Sequence, residues 1–127
     1  MAIGQSSGIE KKSLAGAAVN ELRIVKLGAD DDHVIQAAAN SDQLIGIAQH
    51  TASSAEDEVR VMMTGISRLK LGGTVTRGDY LTSDANGQGL AAAPTAGVNN
   101  TIIGMAMQSG VSGDIIACLL MPSRIQG

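Results

Sequence analysis

Residues 30–33 are three consecutive aspartates followed by His33, and this combination of carboxylates with an imidazole is the first candidate for a metal site. Neighbouring residues in an extended segment point alternately to opposite faces, so these side chains cannot all reach one ion. Their spacing also matches no recognised ligand pattern. A solvated acidic turn is therefore predicted, and no metal is expected.

A second acidic segment partly matches a calcium-binding loop. Residues of the expected kind stand at the first, third, fifth and sixth places of such a loop, at Asp84, Asn86, Gln88 and Gly89. The twelfth place holds Thr95 where the pattern requires a bidentate glutamate, and no helical flanks are evident. Because Asn and Gly readily adopt positive φ in hairpin turns, an Asx-type turn is predicted instead.

Nucleophilic chemistry also lacks a supporting pattern. The two histidines, His33 and His50, lie far apart in the sequence, and their spacing defines no catalytic triad. Cys118, the one cysteine, lies in an apolar run, where we expect a buried and inert thiol. The chain contains no nucleophile elbow and no phosphate-binding glycine motif. The prediction is therefore no enzyme and no cofactor, and a small hydrolase using either histidine has no supporting spacing.

Composition narrows the class of protein. At 127 residues and 12.9 kDa, the chain suits one domain. Its net charge of -3 and pI near 5.2 argue against a nucleic-acid partner, since proteins that bind nucleic acids usually present a basic face. No apolar run is long enough for a signal peptide or a membrane span, so we expect synthesis in the cytoplasm and no membrane partner.

The core must be built without large aromatic rings. Phe and Trp are absent, and Tyr80 is the only aromatic residue. Side chains of Ile, Leu, Val, Met and Ala bury less apolar area each than a large ring does. A homo-oligomer is therefore predicted, because association adds stability that a small core cannot supply alone.

The elements that would position these residues follow a repeated pattern. Residues 44–48 (LIGIA) return as residues 102–106 (IIGMA), and each copy leads through a loop of small residues into a second apolar run, at residues 59–63 and 115–120. Short runs rich in Ile, Val and Leu and bounded by Gly, Ser, Asp or Pro are typical of strands. Two similar strand–loop–strand units are predicted. The central glycine of each first strand indicates a bulge or the close approach of another backbone.

The remaining segments complete an all-β prediction. Further strands are expected in five runs of the chain, at residues 22–27, 33–39, 65–71, 78–82 and 90–93. Residues 1–20 have only scattered apolar side chains and are predicted to form an extended N-terminal arm. Residues 21–127 are predicted to form a single, mainly β domain, a small β-barrel or a β-sandwich-like fold. Pro122 is expected to end the last strand and leave a short tail.

Over residues 44–120, the sequence resembles the small capsid cement, or head decoration, proteins of tailed bacteriophages. The resemblance is carried by Gly46-Ile47-Ala48 followed by Val59-Arg60-Val61, by the segment from Gly78 to Asp84, and by Ile103-Gly104-Met105-Ala106 followed by Gly113-Asp114-Ile115-Ile116. It implies a β-rich structural protein of the virion, made in the host cytoplasm, that binds the outer surface of an assembled capsid and strengthens it without catalysis. It also implies the major capsid protein as partner and a homotrimer as the assembly.

Contact residues are expected at the two ends of the chain. An arm that becomes ordered on the capsid would extend the reach of each subunit by up to about 3.3 Å per residue. The candidate capsid contacts are Ile3, Ile9, Lys11, Lys12, Leu14, Arg124 and Ile125. The alternative function is a β-barrel module of a phage spike or tail that binds a ligand or carbohydrate. Sugar-binding proteins normally offer aromatic stacking surfaces, and this chain has only Tyr80 for that purpose.

Overall fold

The computed structural model describes residues 8–126, which form strands, turns and loops with no helix. In chain order the strands are β1 Glu10–Ala15, β2 Ile24–Leu27, β3 His33–Gln36, β4 Leu44–Ala48, β5 Glu58–Met62, β6 Gly65–Lys70, β7 Tyr80–Ser83, β8 Gly89–Ala91, β9 Asn99–Ala106 and β10 Ile115–Gln126. Strands β1 to β5 form a closed barrel in the order β1-β3-β2-β4-β5, and the others form a sheet in the order β6-β10-β9-β7-β8. The predicted all-β class is confirmed. Nothing in the described range could cross a membrane as a helix.

Strands β2 and β4 bury apolar side chains on both faces because the barrel packs against the second sheet. Alternate residues of a strand point to opposite faces. In β2, Val25 belongs to the apolar cluster formed by barrel residues, whereas Ile24 belongs to the cluster that includes Leu69 and Leu81 of the second sheet. Since one buried cluster contains side chains from both sheets, the barrel and the second sheet share a hydrophobic core.

Strand β1 closes the barrel. It pairs with β5 in antiparallel orientation, beginning with Glu10 opposite Met62, and with β3 in parallel orientation near Ala15. Its inward side chains, Ser13 and Ala15, are small and buried. Small side chains suffice here because the barrel interior is already filled by valines of the neighbouring strands.

The predicted extended arm over residues 1–20 is therefore wrong for residues 10–20. Residues 10–15 lie between two barrel strands, and Val19 exchanges backbone hydrogen bonds of 2.8 and 2.9 Å with Ala52. The segment is ordered by backbone pairing with distant strands, so it does not need the apolar side chains whose scarcity suggested an arm. Residues 1–7 of the predicted arm lie outside the described residues.

The two predicted strand–loop–strand units are present, and in each of them the two strands pair in antiparallel orientation. Strand β4 pairs with β5, and β9 pairs with β10. A Cβ atom added at Gly46 would collide with the carbonyl oxygen of Met62, and one added at Gly104 would collide with that of Leu119. The predicted close approach of another backbone is thus confirmed at both glycines.

Strand β10 is longer than predicted. Pro122 does not end it, because residues 123–126 pair with β9 as far as Asn99. The register shifts between Leu120 and Ser123, which places Pro122 at an irregularity of the ladder. Strand β6 begins at Gly65, opposite Leu120. A proline is tolerated at such a position because an irregularity of the ladder can accommodate a residue without an N–H donor.

Candidate functional site

Ile9, a predicted capsid contact near the N-terminus, has its backbone held by two hydrogen bonds. The Ile9 N–H donates to Thr64 Oγ1 at 2.8 Å, and the Ile9 carbonyl accepts from the Met63 N–H at 2.7 Å. The Ile9 side chain is nevertheless 64% exposed. The structure thus presents an apolar side chain to solvent on a fixed backbone. Ile3 lies outside the described residues.

The other predicted contacts of this end lie on the wall of the barrel. Lys11 is exposed, and Lys12 forms an exposed ion pair of 3.4 Å with Glu58. Such surface pairs contribute little to stability, so both ammonium groups remain available for binding. Leu14 differs, because it is half-buried and its N–H donates to the Asp32 carbonyl at 2.9 Å. Its side chain points away from the inward-facing Ser13 and Ala15, so Leu14 offers a partly exposed apolar surface on the outside of the barrel.

The predicted contacts at the C-terminal end lie on the last part of β10, residues 121–126, called here the β10 extension. Arg124 is exposed opposite Thr101, and Ile125 is half-buried opposite Asn100. A shallow pocket of about 180 Å³ is lined by Gln43, Leu44, Thr101, Pro122, Ser123 and Arg124. Because β6 begins opposite Leu120, the β10 extension has one neighbouring strand among the described residues.

The two ends of the chain meet around Thr64 and Gly65. Thr64 accepts the hydrogen bond from Ile9, and Gly65 pairs with Leu120 just before the β10 extension begins. Segments more than a hundred positions apart in sequence therefore border the same region of the surface. Ile9 and the start of the β10 extension both adjoin residues 64 and 65, whereas Leu14 lies further along β1.

Sequence analysis missed an apolar row on the second sheet, called here the outer row. The strand register places four side chains opposite one another across β7, β9, β10 and β6: Tyr80, Met105, Leu119 and Ile66. Residues directly opposite on adjacent strands point to the same face. Tyr80 is 43% exposed and the other three are half-buried, so this face is open to solvent. Only the order of the strands brings these residues together.

Comparison with known proteins decides the family. A family model described as phage cement protein matches residues 5–120. The chain belongs to the phage cement protein family. The match begins before β1 and so includes most of the predicted arm over residues 1–20. The resemblance found over residues 44–120 is confirmed, and this cement protein is a structural, capsid-stabilising component of the virion.

The fold of the cement protein is also found in a solved structure. The crystal structure of the N base of head fiber gp8.5 in bacteriophage phi29 matches with a TM-score of 0.70 and 17% sequence identity. The match covers 94% of this chain and 98% of that chain. At this identity the likeness establishes the shared fold. No curated protein matches the chain.

The acidic turn of the cement protein is solvated, as predicted. Asp30, Asp31 and Asp32 are exposed, and the Asp32 N–H donates to Asp30 Oδ1 at 3.1 Å. Among the described residues, no group of three or more His, Cys, Asp or Glu side chains could hold a metal ion. The turn instead engages His33, whose contacts were not anticipated from the sequence.

The second acidic segment forms the predicted turn. Asp84 Oδ1 accepts the N–H groups of Asn86 at 2.8 Å and Gln88 at 2.9 Å, and Gly87 has a φ of 72°. The carboxylate that could have bound calcium therefore satisfies backbone donors of its own loop. This is the Asx-type turn expected from the residue types.

The nucleophile candidates of the cement protein are engaged or buried. Burial raises the pKa of the Cys118 thiol to about 12, so the buried thiol stays protonated and inert at neutral pH, as predicted. His50 Nε2 accepts the Arg60 N–H at 3.1 Å. Both ring nitrogens of His33 contact carboxylates, so neither is free to activate a nucleophile.

Proposed function

We propose that this cement protein binds the outer surface of the assembled phage head and stabilises it by bridging neighbouring subunits of the major capsid protein. The observation that carries the proposal is the family match over residues 5–120. The head fiber base of phage phi29, a protein of the same fold, supports a place on the head. The protein is made in the host cytoplasm and acts by binding, without catalysis.

The proposed contact surface combines Ile9 and Lys11 at the start of β1 with Arg124 and Ile125 on the β10 extension. Ile9 supplies exposed apolar area, and Lys11 and Arg124 supply exposed positive charge. Lys12 contributes through its exposed amine, and Ile3 belongs to the same proposal, although it lies outside the described residues. Leu14 adds a half-buried apolar side chain on the outer face of β1.

The protein is proposed to act as a homotrimer. A symmetric oligomer can hold several capsid subunits at once, and avidity then exceeds the affinity of one site by roughly a hundredfold or more. The outer row supports self-association because aromatic and methionine side chains are enriched at the cores of protein interfaces. Light scattering of the purified protein is expected to give three times the chain mass of 12.9 kDa. A monomer at tens of micromolar would contradict a preformed trimer.

Decorated particles are expected to resist heat better than undecorated particles. A protein that binds the intact shell and not its separated subunits stabilises the shell by mass action, by about 2.7 kcal/mol for each site at a concentration of 100 Kd. The measurement is the disruption temperature of particles without the protein and with saturating protein. If the two temperatures are equal, the cement function is wrong.

A pair of charge reversals tests the contact surface in the same assay. Arg124→Glu changes the β10 extension, whereas Arg77→Glu makes the same change in charge at an exposed residue beside the turn that contains Ser109. That turn lies at the opposite end of the β9–β10 hairpin. We expect Arg124→Glu to weaken binding and protection of the particle, and Arg77→Glu to leave both unchanged. Equal protection by the two variants would overturn the contact surface while leaving the cement function intact.

A further inference from the structure

His33 joins two segments that are distant in the sequence. It begins β3, and its imidazole lies between the carboxylates of Asp30 and Glu56. The Nδ1 atom lies 2.5 Å from Asp30 Oδ1, and the Nε2 atom lies 2.9 Å from Glu56 Oε1. A protonated imidazolium has an N–H on both ring nitrogens, so it can donate to both carboxylates at once.

The contact of His33 with Glu56 matters because the backbone of Glu56 has an unfavourable conformation and lies in a loop that contacts β1. Glu56 has a φ of 73°, in the left-handed region that a residue with a side chain rarely adopts. Its N–H donates to the Ala15 carbonyl at 2.7 Å, and the Ala15 N–H donates to the Asp57 carbonyl at 2.9 Å. The loop of residues 51–57 therefore holds the end of β1, the strand that closes the barrel.

The surroundings of His33 are strongly acidic. The turn before β3 supplies Asp30, Asp31 and Asp32, the loop before β5 supplies Glu56 and Asp57, and β5 begins with Glu58. On the neighbouring strands β1 and β5 the cations are Lys11, Lys12 and Arg60, and Lys12 pairs with Glu58 at 3.4 Å. Without a proton on His33, two carboxylates would meet at a ring that can donate to only one of them.

We propose that His33 is a protonation-dependent latch that holds the 51–57 loop, and through it the end of β1, against the turn before β3. In the latched state the imidazolium donates to Asp30 and to Glu56. When the proton leaves, the neutral ring keeps its N–H toward Asp30, the shorter of the two contacts, and the lone pair on Nε2 then faces Glu56, so the Glu56 contact is lost. Glu56 then has less to hold it in its left-handed conformation, and the loop opens more often. This device does not depend on the proposed function.

The direction of the pH dependence follows from the two partners. Hydrogen bonds that the imidazolium donates to Asp30, and to a smaller extent to Glu56, raise the pKa of His33 above its ordinary value of 6.5. The contribution of His33 to the stability of the folded protein is therefore fully present below pH 6.5. It is lost as the pH rises through the raised pKa that His33 has in the folded protein. The hydrogen bond with His33 is the main cause that lowers the pKa of Asp30 below 3.8. The contribution of Asp30 to the stability of the folded protein is present above pH 3.8 and is lost as the pH falls through the lowered pKa of Asp30.

Amide hydrogen exchange measured as a function of pH tests the latch. The reporters are the N–H groups of Ala15 and Glu56, corrected for the intrinsic pH dependence of exchange. We expect their protection to fall as the pH rises from about 6 to about 9 and His33 loses its proton. Val75 and Gly110, which exchange hydrogen bonds near the second sheet, serve as internal controls and should keep their protection.

Two variants separate the latch from a general effect of pH. His33→Gln should leave the protection of Ala15 and Glu56 low and independent of pH, whereas His50→Gln should retain the pH dependence of the unmodified chain. If His33→Gln does not fold, Glu56→Gln provides the second variant, because it removes one carboxylate and should lower the pKa of His33 measured by NMR. Unchanged protection across the pH range in the unmodified chain, or the same pH dependence in His33→Gln, would overturn the latch.

Discussion

Removal of residues 1–15 is expected to unfold the protein. This truncation deletes β1, which pairs with both β3 and β5, and opens a barrel whose interior contains Val34, Val59 and Val61. Exposure of three such side chains costs about 5 kcal/mol or more, at about 1.5 to 3 kcal/mol for each fully buried one. That loss is comparable to the whole stability of a typical domain.

The control is a truncation that begins at Gly8 and keeps every described strand. Circular dichroism and thermal melting of the two truncated proteins give the comparison. We expect the shorter truncation to show a cooperative melting transition and the longer one to show none. A cooperative transition near that of the full chain after removal of residues 1–15 would contradict the role of β1 in the barrel.

Gly104→Ala is expected to lower the melting temperature by roughly 10 °C. The added methyl group would collide with the carbonyl oxygen of Leu119 on the neighbouring strand, so β9 and β10 would have to separate where they pair. Forcing an extra carbon into a packed interior typically costs about 1 to 3 kcal/mol, and a collision with backbone belongs at the upper end. For a domain of this size, each kcal/mol corresponds to about 3 to 5 °C.

Gly97→Ala is the matched control because it makes the same chemical change at a position where the added methyl group meets no atom within 4 Å beyond its chain neighbours. Gly97 has a φ of 79°, so alanine there adds only backbone strain of about 1 kcal/mol. Differential scanning calorimetry of the two variants distinguishes collision from strain. Equal melting temperatures would show that the close approach at Gly104 does not limit the packing of the two strands.

The strand pairs that follow the repeated pattern were predictable because their determinants are local. In β5, buried Val59 and Val61 alternate with exposed Arg60, and this spacing is visible in the sequence without knowledge of the fold. The glycines at 46 and 104 could be interpreted for the same reason, since a glycine inside a strand already indicates that something lies close to it. Local pattern also identified the turn at Asp84 and the buried thiol of Cys118.

Long-range pairing explains what the sequence could not indicate. Glu10 lies opposite Met62, and its segment has too few apolar residues to resemble a strand by itself. The continuation of β10 past Pro122 depends likewise on β9 lying beside it and on β6 beginning only at Gly65. In both places the backbone hydrogen bonds are supplied by another strand, so composition alone suggested an arm and a tail.

By itself, the sequence determined the all-β class, the two strand pairs, the local turns and the resemblance to phage cement proteins. These features depend on side-chain alternation and on turn residues, which act over a few neighbouring positions. Only the tertiary structure decided the closure of the barrel, the outer row across four strands, and the contact of His33 with Glu56, 23 positions away. Each of these depends on which strands become neighbours, and that choice is made by packing of the whole core rather than by any short segment.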